Sequence, residues 1–346
     1  MSHSTVPRSE AEATTPVPRP ATSDGAGTAR PRESPRRRRL SLRLRYRRDR
    51  VLLLMTLPAV ALVLVFNYLP ILGNVVAFQD YDPYISDNGV VSMLNSPFVG
   101  LENFRRIIED PAFWSALKNT LVIFFLQLVL YFPIPILLAL LINSVIRPRV
   151  RAVAQAILYL PHFFSWVLVV AVFQQLFGGA GIFSQLLRQN GHDGLEVMTN
   201  PDTFVFLITA QSVWKDAGWG IIVFLAALAS VSPDLYEAAA MDGADRWRRM
   251  WHVTLPALRP VIALLLVLRV GDALTVGFEQ ILLQRDAVGP GAAEVLDTFV
   301  WWNGVRNQDF GYAAAAGLIK GVVSLGLVLA ANKVAHLMGE QGVYKK

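Results

Sequence analysis

The chain contains no cysteine. Disulfides, thiolate nucleophiles and cysteine-ligated metals are excluded, and the redox compartment leaves no trace in the sequence. Charge is scarce too. Asp, Glu, Lys and Arg make up 17% of the 346 residues, where a soluble domain carries about a quarter. No G-x-x-x-x-G-K-[ST] loop occurs, so any ATP hydrolysis belongs to another subunit. Neither G-x-S-x-G nor H-E-x-x-H is present. The five histidines (His3, His162, His192, His252, His336) are scattered without metal-ligand spacing and read as structural or surface residues. These absences argue against an enzyme and against a metal centre.

What the chain has in excess is apolar side chains: 53% hydrophobic residues and a mean hydropathy of +0.41. They are gathered into six runs near 51–79, 119–146, 152–178, 203–230, 257–284 and 312–338. Each is long enough to cross a hydrocarbon core of about 30 Å, which takes roughly 20 helical residues. In lipid the backbone must satisfy its own hydrogen bonds. The runs are therefore helices, because barrel strands would be short and alternating. The expected fold class is all-α, a polytopic membrane protein with six transmembrane helices. The first run has a basic flank but is too long for a signal-peptide core of about 7–15 residues, and no A-x-A site follows Phe78. It reads as an uncleaved anchor. Pro58, Pro70, Pro133, Pro135 and Pro161 fall in or beside the runs and predict irregular helices.

Thirteen of the 32 Lys and Arg residues lie in the first 50 positions. Residues 1 to about 35 carry almost no large apolar side chain and are expected to be disordered. Residues 36–50, RRRRLSLRLRYRRDR, form a basic anchor directly before the first run, so residues 1–50 read as an Arg-rich tail and residues 51–346 as the membrane domain. Basic charge next to a hydrophobic run reports membrane topology rather than nucleic acid binding. With this anchor inside, ten basic residues fall in or beside the remaining inside loops (Arg147, Arg149, Arg151, Arg246, Arg248, Arg249, Arg259, Lys333, Lys345, Lys346). Six fall outside (Arg105, Arg106, Lys118, Arg188, Arg285, Arg306). Both termini are expected in the cytoplasm of a multi-pass cell-membrane protein.

That topology puts a charged island, EAAAMDGADRWRRMWHVTLPALRP (Glu237–Pro260), in the cytoplasm, within a loop spanning 231–260. Ser232-Pro233-Asp234 has the chemistry of a helix start. Ala238, Ala239 and Ala240 leave one face nearly flat, and Gly243 suits a helix stop. A second short helix fits Asp245–Val253, with Trp247, Met250 and Trp251 on one face. One reading is an interfacial helix whose tryptophans rest among headgroups. The other, favoured by the small-residue face beside an aromatic pair, is a docking element for a partner.

The island resembles the EAA loop of permease subunits of binding-protein-dependent ABC importers: E-A-A, three residues, G, nine residues, a branched apolar residue, any residue, L-P. Glu237-Ala238-Ala239, Gly243, Val253 and Leu255-Pro256 stand at those spacings, with Val253 in place of the commoner isoleucine. FVGLENFRRIIEDPAFWSALKNT (Phe98–Thr120) resembles the first external segment of carbohydrate permeases. YLPHFFSW, WKDAGWG, DGADRWRRMWHVTLP, VGFEQILL and the stretch from DTFVW to AANK are similar to the LplB-like branch of oligosaccharide permeases, many of which are linked to polysaccharide or oligo-uronide use. The likeness covers roughly residues 51–346. It implies a type I ABC importer permease fold and a sugar importer driven by ATP. It also implies three kinds of partner: a second homologous permease, a cytoplasmic ATPase dimer that uses ATP and Mg, and an extracellular solute-binding lipoprotein. It implies no cofactor bound by this chain. The expected ATPase-coupling residues are Glu237, Ala238, Ala239, Asp242, Gly243, Trp247, Leu255 and Pro256, with Glu237 and Gly243 mattering most.

Polar residues inside the runs are the remaining candidates. Lys215 and Asp216 lie in the fourth run, Arg269, Asp272 and Glu279 in the fifth, and Lys320 in the sixth. An unpaired charge at mid-bilayer costs about 2.5–3.5 kcal/mol on insertion scales, so these groups face the bundle interior or a wet cavity. One reading is structural ion pairing, for instance Arg269 with Asp272. The other is a sugar path shared with Trp214, Trp219, Gln280 and Asn303, in which, if the cargo is an oligo-uronide, Lys215, Arg269 or Lys320 would meet its carboxylates. The segment Asp80–Asn119 is expected either to pack on the outer membrane face or to help dock the solute-binding protein. Two competing functions remain. A self-sufficient secondary transporter would show about twelve spans or an internal repeat. A membrane enzyme would show clustered acids or histidines at one membrane face. Neither signal is found.

Overall fold

A computed structural model describes residues 42–337, with side chains described at Arg50 and from Leu54 onward. Residues 1–41 and 338–346, which include most of the Arg-rich tail and the basic residues Lys345 and Lys346, lie outside the described residues. The chain divides into two compact units, Met1–Val63 and Leu64–Lys346. In the first unit Leu42–Val63 is a helix. It starts inside the stretch assigned to the tail, in residues (Leu, Arg, Tyr) that tolerate helix well. Every side chain from Leu54 to Val63 is exposed.

Six helical stretches are long and apolar enough to cross a membrane: Leu54–Phe78, Pro111–Ser144, Trp166–Gln189, Phe204–Ala229, Arg246–Gly271 and Phe310–Leu337. The all-α expectation holds, since an isolated bridge between Gln79 and Phe98 is the extent of β pairing among the described residues. Three boundaries differ from the hydropathy reading. The second span starts at Pro111 rather than near 119, because the Asp110 carboxylate accepts from the Ala112 N–H and caps the helix. The third run, expected as one helix, is broken. Pro148–Tyr159 is followed by a 3-10 turn at Leu160–Phe163, and a new helix runs Trp166–Phe177 with Ser165 as its cap. Pro161 lacks the N–H that a continuous helix would use there. The fifth span ends at Gly271, not near 284. Asp272–Gly277 form turns, Gly277 takes the left-handed conformation at φ 55°, and Phe278–Leu282 is a separate short helix.

The prolines act through π-turns. Wider turns at Leu64–Tyr68, Gln127–Tyr131 and Met250–Thr254 each lie just before a proline: Pro70, Pro133 and Pro256. A proline offers no N–H to the carbonyl four residues back and crowds it. The helix accommodates this by adding one residue to the preceding turn.

The fourth span is the centre of the second unit. Some 44% of its apolar window is buried, against 17–22% for spans two, three, five and six. Apolar side chains gain little by leaving lipid, so close backbone approach at small residues drives this packing. A Cβ on Gly218 would lie 1.9 Å from the Leu158 carbonyl oxygen, and one on Gly220 2.8 Å from Pro135. Toward one end Ala139, Ile142, Ile221, Phe224, Leu228 and Leu258 form a core between spans two, four and five. In the first half of the fourth span polar bonds add to the apolar packing of Phe204 and Ile208. Buried Gln211 accepts from Gln280 Nε2 (2.7 Å) and Gln284 Nε2 (3.0 Å), and Ser212 donates to Gln280 Oε1. This network ties the short helix after span five to span four.

The segment between spans one and two is folded against span six. Asn103 donates to the carbonyls of Ala77 and Gln79, and Arg106 pairs with Asp309 at 2.7 Å. That pairing holds the guanidinium above its ordinary range, chiefly through the hydrogen bond to Asp309. The helix Gly89–Asn95 turns Ser92 inward, where its single hydroxyl proton is shared between the carbonyls of Pro83 and Ser86. It leaves Val90, Val91 and Leu94 exposed.

Gly218→Ala puts a methyl group into a helix backbone that cannot retreat, and overpacking of this kind costs about 1–3 kcal/mol. Thermal unfolding of the detergent-solubilised protein should show a clear loss for Gly218→Ala and little change for Gly321→Ala, where the added Cβ meets nothing. Equal midpoints for the two variants would refute the close approach.

Candidate functional site

The coupling element expected from the island is built as two helices at an angle. Ser232 Oγ accepts from the Asp234 N–H and starts Pro233–Met241. The helix ends with Ala244 N–H on the Ala239 carbonyl and Gly243 N–H on that of Ala240. Gly243 takes φ 74°, a left-handed position that L side chains resist. Asp245 then accepts from the Arg248 N–H at 2.8 Å and begins the next helix. That helix does not stop at Val253, as the sequence suggested. It passes through the π-turn Met250–Thr254 and Leu255-Pro256 into the fifth span without a break. Glu237, Ala238, Asp242 and Gly243 are exposed, while Ala239, Leu255 and Pro256 are half-buried. Trp247 and Trp251 are 68% and 58% exposed. The loop thus offers a free outer face of carboxylate, small residues and indoles.

A second group lies in the helix bundle. WKDAGWG on span four meets YLPHFFSW at the break in the third run. His162 Nδ1 lies 2.9 Å from Asp216 Oδ1, and the Lys215 ammonium donates to the His162 carbonyl (2.9 Å) and to Asp216 Oδ1 (3.4 Å). The His162 and Trp219 rings stack at 4.7 Å with 12° between their planes. Trp214 packs against Phe164 and Phe173, and the indoles of Trp214 and Trp219 stay 40% and 54% exposed. Lys215 is buried. Arg269, on span five, donates to Gln127 Oε1 and stands over the Tyr131 ring at 5.9 Å. Tyr131 lies within electrostatic reach of both Arg269 and Asp216.

The expected Arg269–Asp272 pair does not form. Asp272 is exposed beyond the end of the helix, and the guanidinium turns to span two instead. Gln280 is fully buried in the glutamine network and is removed from any sugar path. Glu279 is exposed on the separate short helix rather than in a span. Lys320 pairs with Asp297, as the ion-pair reading anticipated. Asn303 is half-buried and donates to the Phe299 carbonyl. A further buried pair, Arg285 with Glu294, joins the turns before span six, with Arg285 at 3.8 Å over Trp302. Sequence reading missed His162, Gln127 and Tyr131. Their partners lie 53 to 142 residues away along the chain, and the motif YLPHFFSW pointed at His162 but at neither Gln127 nor Tyr131.

A helical bundle with an exposed two-helix loop and an internal polar belt defines a multi-pass membrane transport subunit. The chain belongs to the family of binding-protein-dependent transport system inner membrane components, which matches residues 131–337. It is 44% identical to the Bacillus subtilis polygalacturonan/rhamnogalacturonan transport system permease protein YteP over 81% of this chain and 86% of that protein. It is 39% identical to LplB of the same organism, over 81% and 87%. A bacterial alginate ABC transporter, solved in complex with an alginate pentasaccharide-bound periplasmic protein, contains a chain of the same fold. The TM-score is 0.78 at 36% identity, covering 87% of this chain and 99% of that one.

Lys215 should be structural. Lys215→Met leaves the partly buried Asp216 with His162 alone, and losing a charged hydrogen bond of this kind costs about 1.5–3 kcal/mol. The variant should unfold earlier in detergent, and Lys215→Met/Asp216→Asn should recover part of the loss. A double variant no better than the single one would show that the pair is not coupled.

Proposed function

We propose that the chain is the permease subunit of an ATP-driven importer of an acidic oligosaccharide. It works with a second, homologous permease, a cytoplasmic ATPase dimer and an extracellular solute-binding protein. Two of the similar proteins are named for polygalacturonan/rhamnogalacturonan and for alginate, polymers that all contain uronic acids. The single observation that carries the reading is the state of Arg269. Of the three cations expected to meet carboxylates, Lys215 is bound to Asp216 and Lys320 to Asp297. Arg269 has no carboxylate partner among the described residues, and its buried Nε–H has no acceptor. An arginine fork is the side chain best suited to a carboxylate. The exposed faces of Trp214 and Trp219 supply stacking surfaces for sugar rings.

In this reading the termini and the loop Pro233–Thr254 face the cytoplasm, where each ATPase cleft receives a coupling loop. Glu237 offers a charge-assisted contact, Trp247 an aromatic anchor, and Gly243 sets the angle between the two helices. The chain performs no chemistry itself. ATP and Mg act in the partner. The secondary-transporter alternative has no support from the family.

Two experiments test this. In reconstituted complexes, Arg269→Gln should raise the KM for an oligo-uronide by about tenfold, the scale of one charge-assisted contact. Uptake of the corresponding neutral oligosaccharide, if transported, should not change. Equal effects on both would remove the carboxylate role. For the loop, Gly243→Asn should still retain the ATPase in a pull-down, because Asn tolerates the left-handed conformation. Gly243→Val should lose it. Retention by both would contradict the turn's role in docking.

A further inference from the structure

We propose that the Tyr236 hydroxyl is a strut that locks the short coupling helix to the root of the fifth span, so that the two move as one lever. This rests on the reading of Pro233–Thr254 as the surface an ATPase receives. The short helix has nine residues, too few to be stable alone in water. It is joined to the next helix through the turn at Gly243, where added side-chain atoms would meet nothing. Its two faces differ. Glu237, Ala238, Ala240 and Met241 are exposed, whereas Tyr236 and Ala239, three residues apart, are half-buried.

Among the described residues, one side-chain hydrogen bond joins this helix to the helix Arg246–Gly271: Tyr236 Oη to Thr254 Oγ1 at 3.2 Å. Thr254 is buried and closes the π-turn. Its hydroxyl also donates to the Arg249 carbonyl at 3.4 Å. A hydroxyl has one proton, so with Thr254 donating to Arg249, Tyr236 is the donor in the inter-helix bond. The position is mechanically telling. The π-turn precedes Pro256, and Pro260 follows one turn later, so this is where the long helix has its weakest hydrogen-bond ladder. A push on the loop would otherwise be absorbed there. The strut delivers it to Thr254, past the Gly243 turn and at the span side of the π-turn.

The test uses the whole importer in proteoliposomes, with sugar uptake and ATP hydrolysis measured together. Tyr236→Phe and Thr254→Val should assemble with the ATPase as the unmodified chain does and still hydrolyse ATP. Uptake per ATP should fall about threefold to tenfold, the range of one hydroxyl hydrogen bond. Thr254→Ser, which keeps the hydroxyl, should restore the ratio. The double variant should be no worse than either single one. A normal ratio in Tyr236→Phe, or strictly additive losses in the double variant, overturns the strut while leaving the docking loop standing. An unmodified chain that retains no ATPase overturns both.

Discussion

Everything in this structure answers to one constraint: inside a bilayer, no backbone group and no charge can turn to water for a partner. The helices follow from it, and so do their irregularities. Ahead of Pro70, Pro133 and Pro256 the chain inserts a π-turn rather than opening a loop, at Leu64–Tyr68, Gln127–Tyr131 and Met250–Thr254, whereas at Pro161 the helix breaks through a 3-10 turn. The same constraint governs side chains. Lys215, Asp216 and His162 satisfy one another across a broken helix. Lys320, on span six, meets Asp297. Three glutamines and a serine share their donors and acceptors so that each buried amide is used. Such pairs add little net stability relative to apolar packing, but each fixes a register, because losing one partner strands the other.

The constraint also shapes how motion crosses the membrane boundary. A helix that continues from Arg246 to Gly271 carries the loop and the span on one axis. Its compliance is concentrated where proline weakens the ladder, near Met250–Thr254. On the opposite end the short helix Phe278–Leu282 is fastened to span four by the glutamine network. A displacement of span five at its root therefore reaches a region that is tied to the central helix. The two ends differ in kind: a hinge with a single hydroxyl brace at one, a many-bonded amide lock at the other.

Much of this was legible in the sequence, and the parts that were not share a cause. Six apolar runs predicted six spans because hydropathy measures transfer into lipid, the quantity that selects them. The EAA spacing predicted the loop because a helix start, a left-handed stop and a second start are local chemistry: Ser232, Gly243 and Asp245 each act within three residues. What failed was non-local or hidden in hydropathy. The third run reads as uniformly apolar, so the break at Pro161 and Ser165 disappears in a window average. The run 257–284 hides the turns at Asp272–Gly277 for the same reason. The Arg269–Asp272 pairing was inferred from spacing on an ideal helix, and the helix ends between the two residues. His162 looked inert because its partner stands 54 positions away.

The neutralised charges narrow the question of what recognises the cargo. A sugar entering the bundle loses part of its hydration and needs polar groups that are not already committed. Lys215, Lys320, Gln211 and Gln280 are all engaged by the fold itself. What stays available is the exposed indoles of Trp214 and Trp219 and an arginine held by an amide instead of a carboxylate. Gln127 orients Arg269 without cancelling its charge, which is how a fold keeps a cation ready for an anionic guest. A neutral guest would gain from the indoles alone. A uronate would gain from both, so under the proposed function selectivity would rest on a pairing that the fold leaves undone.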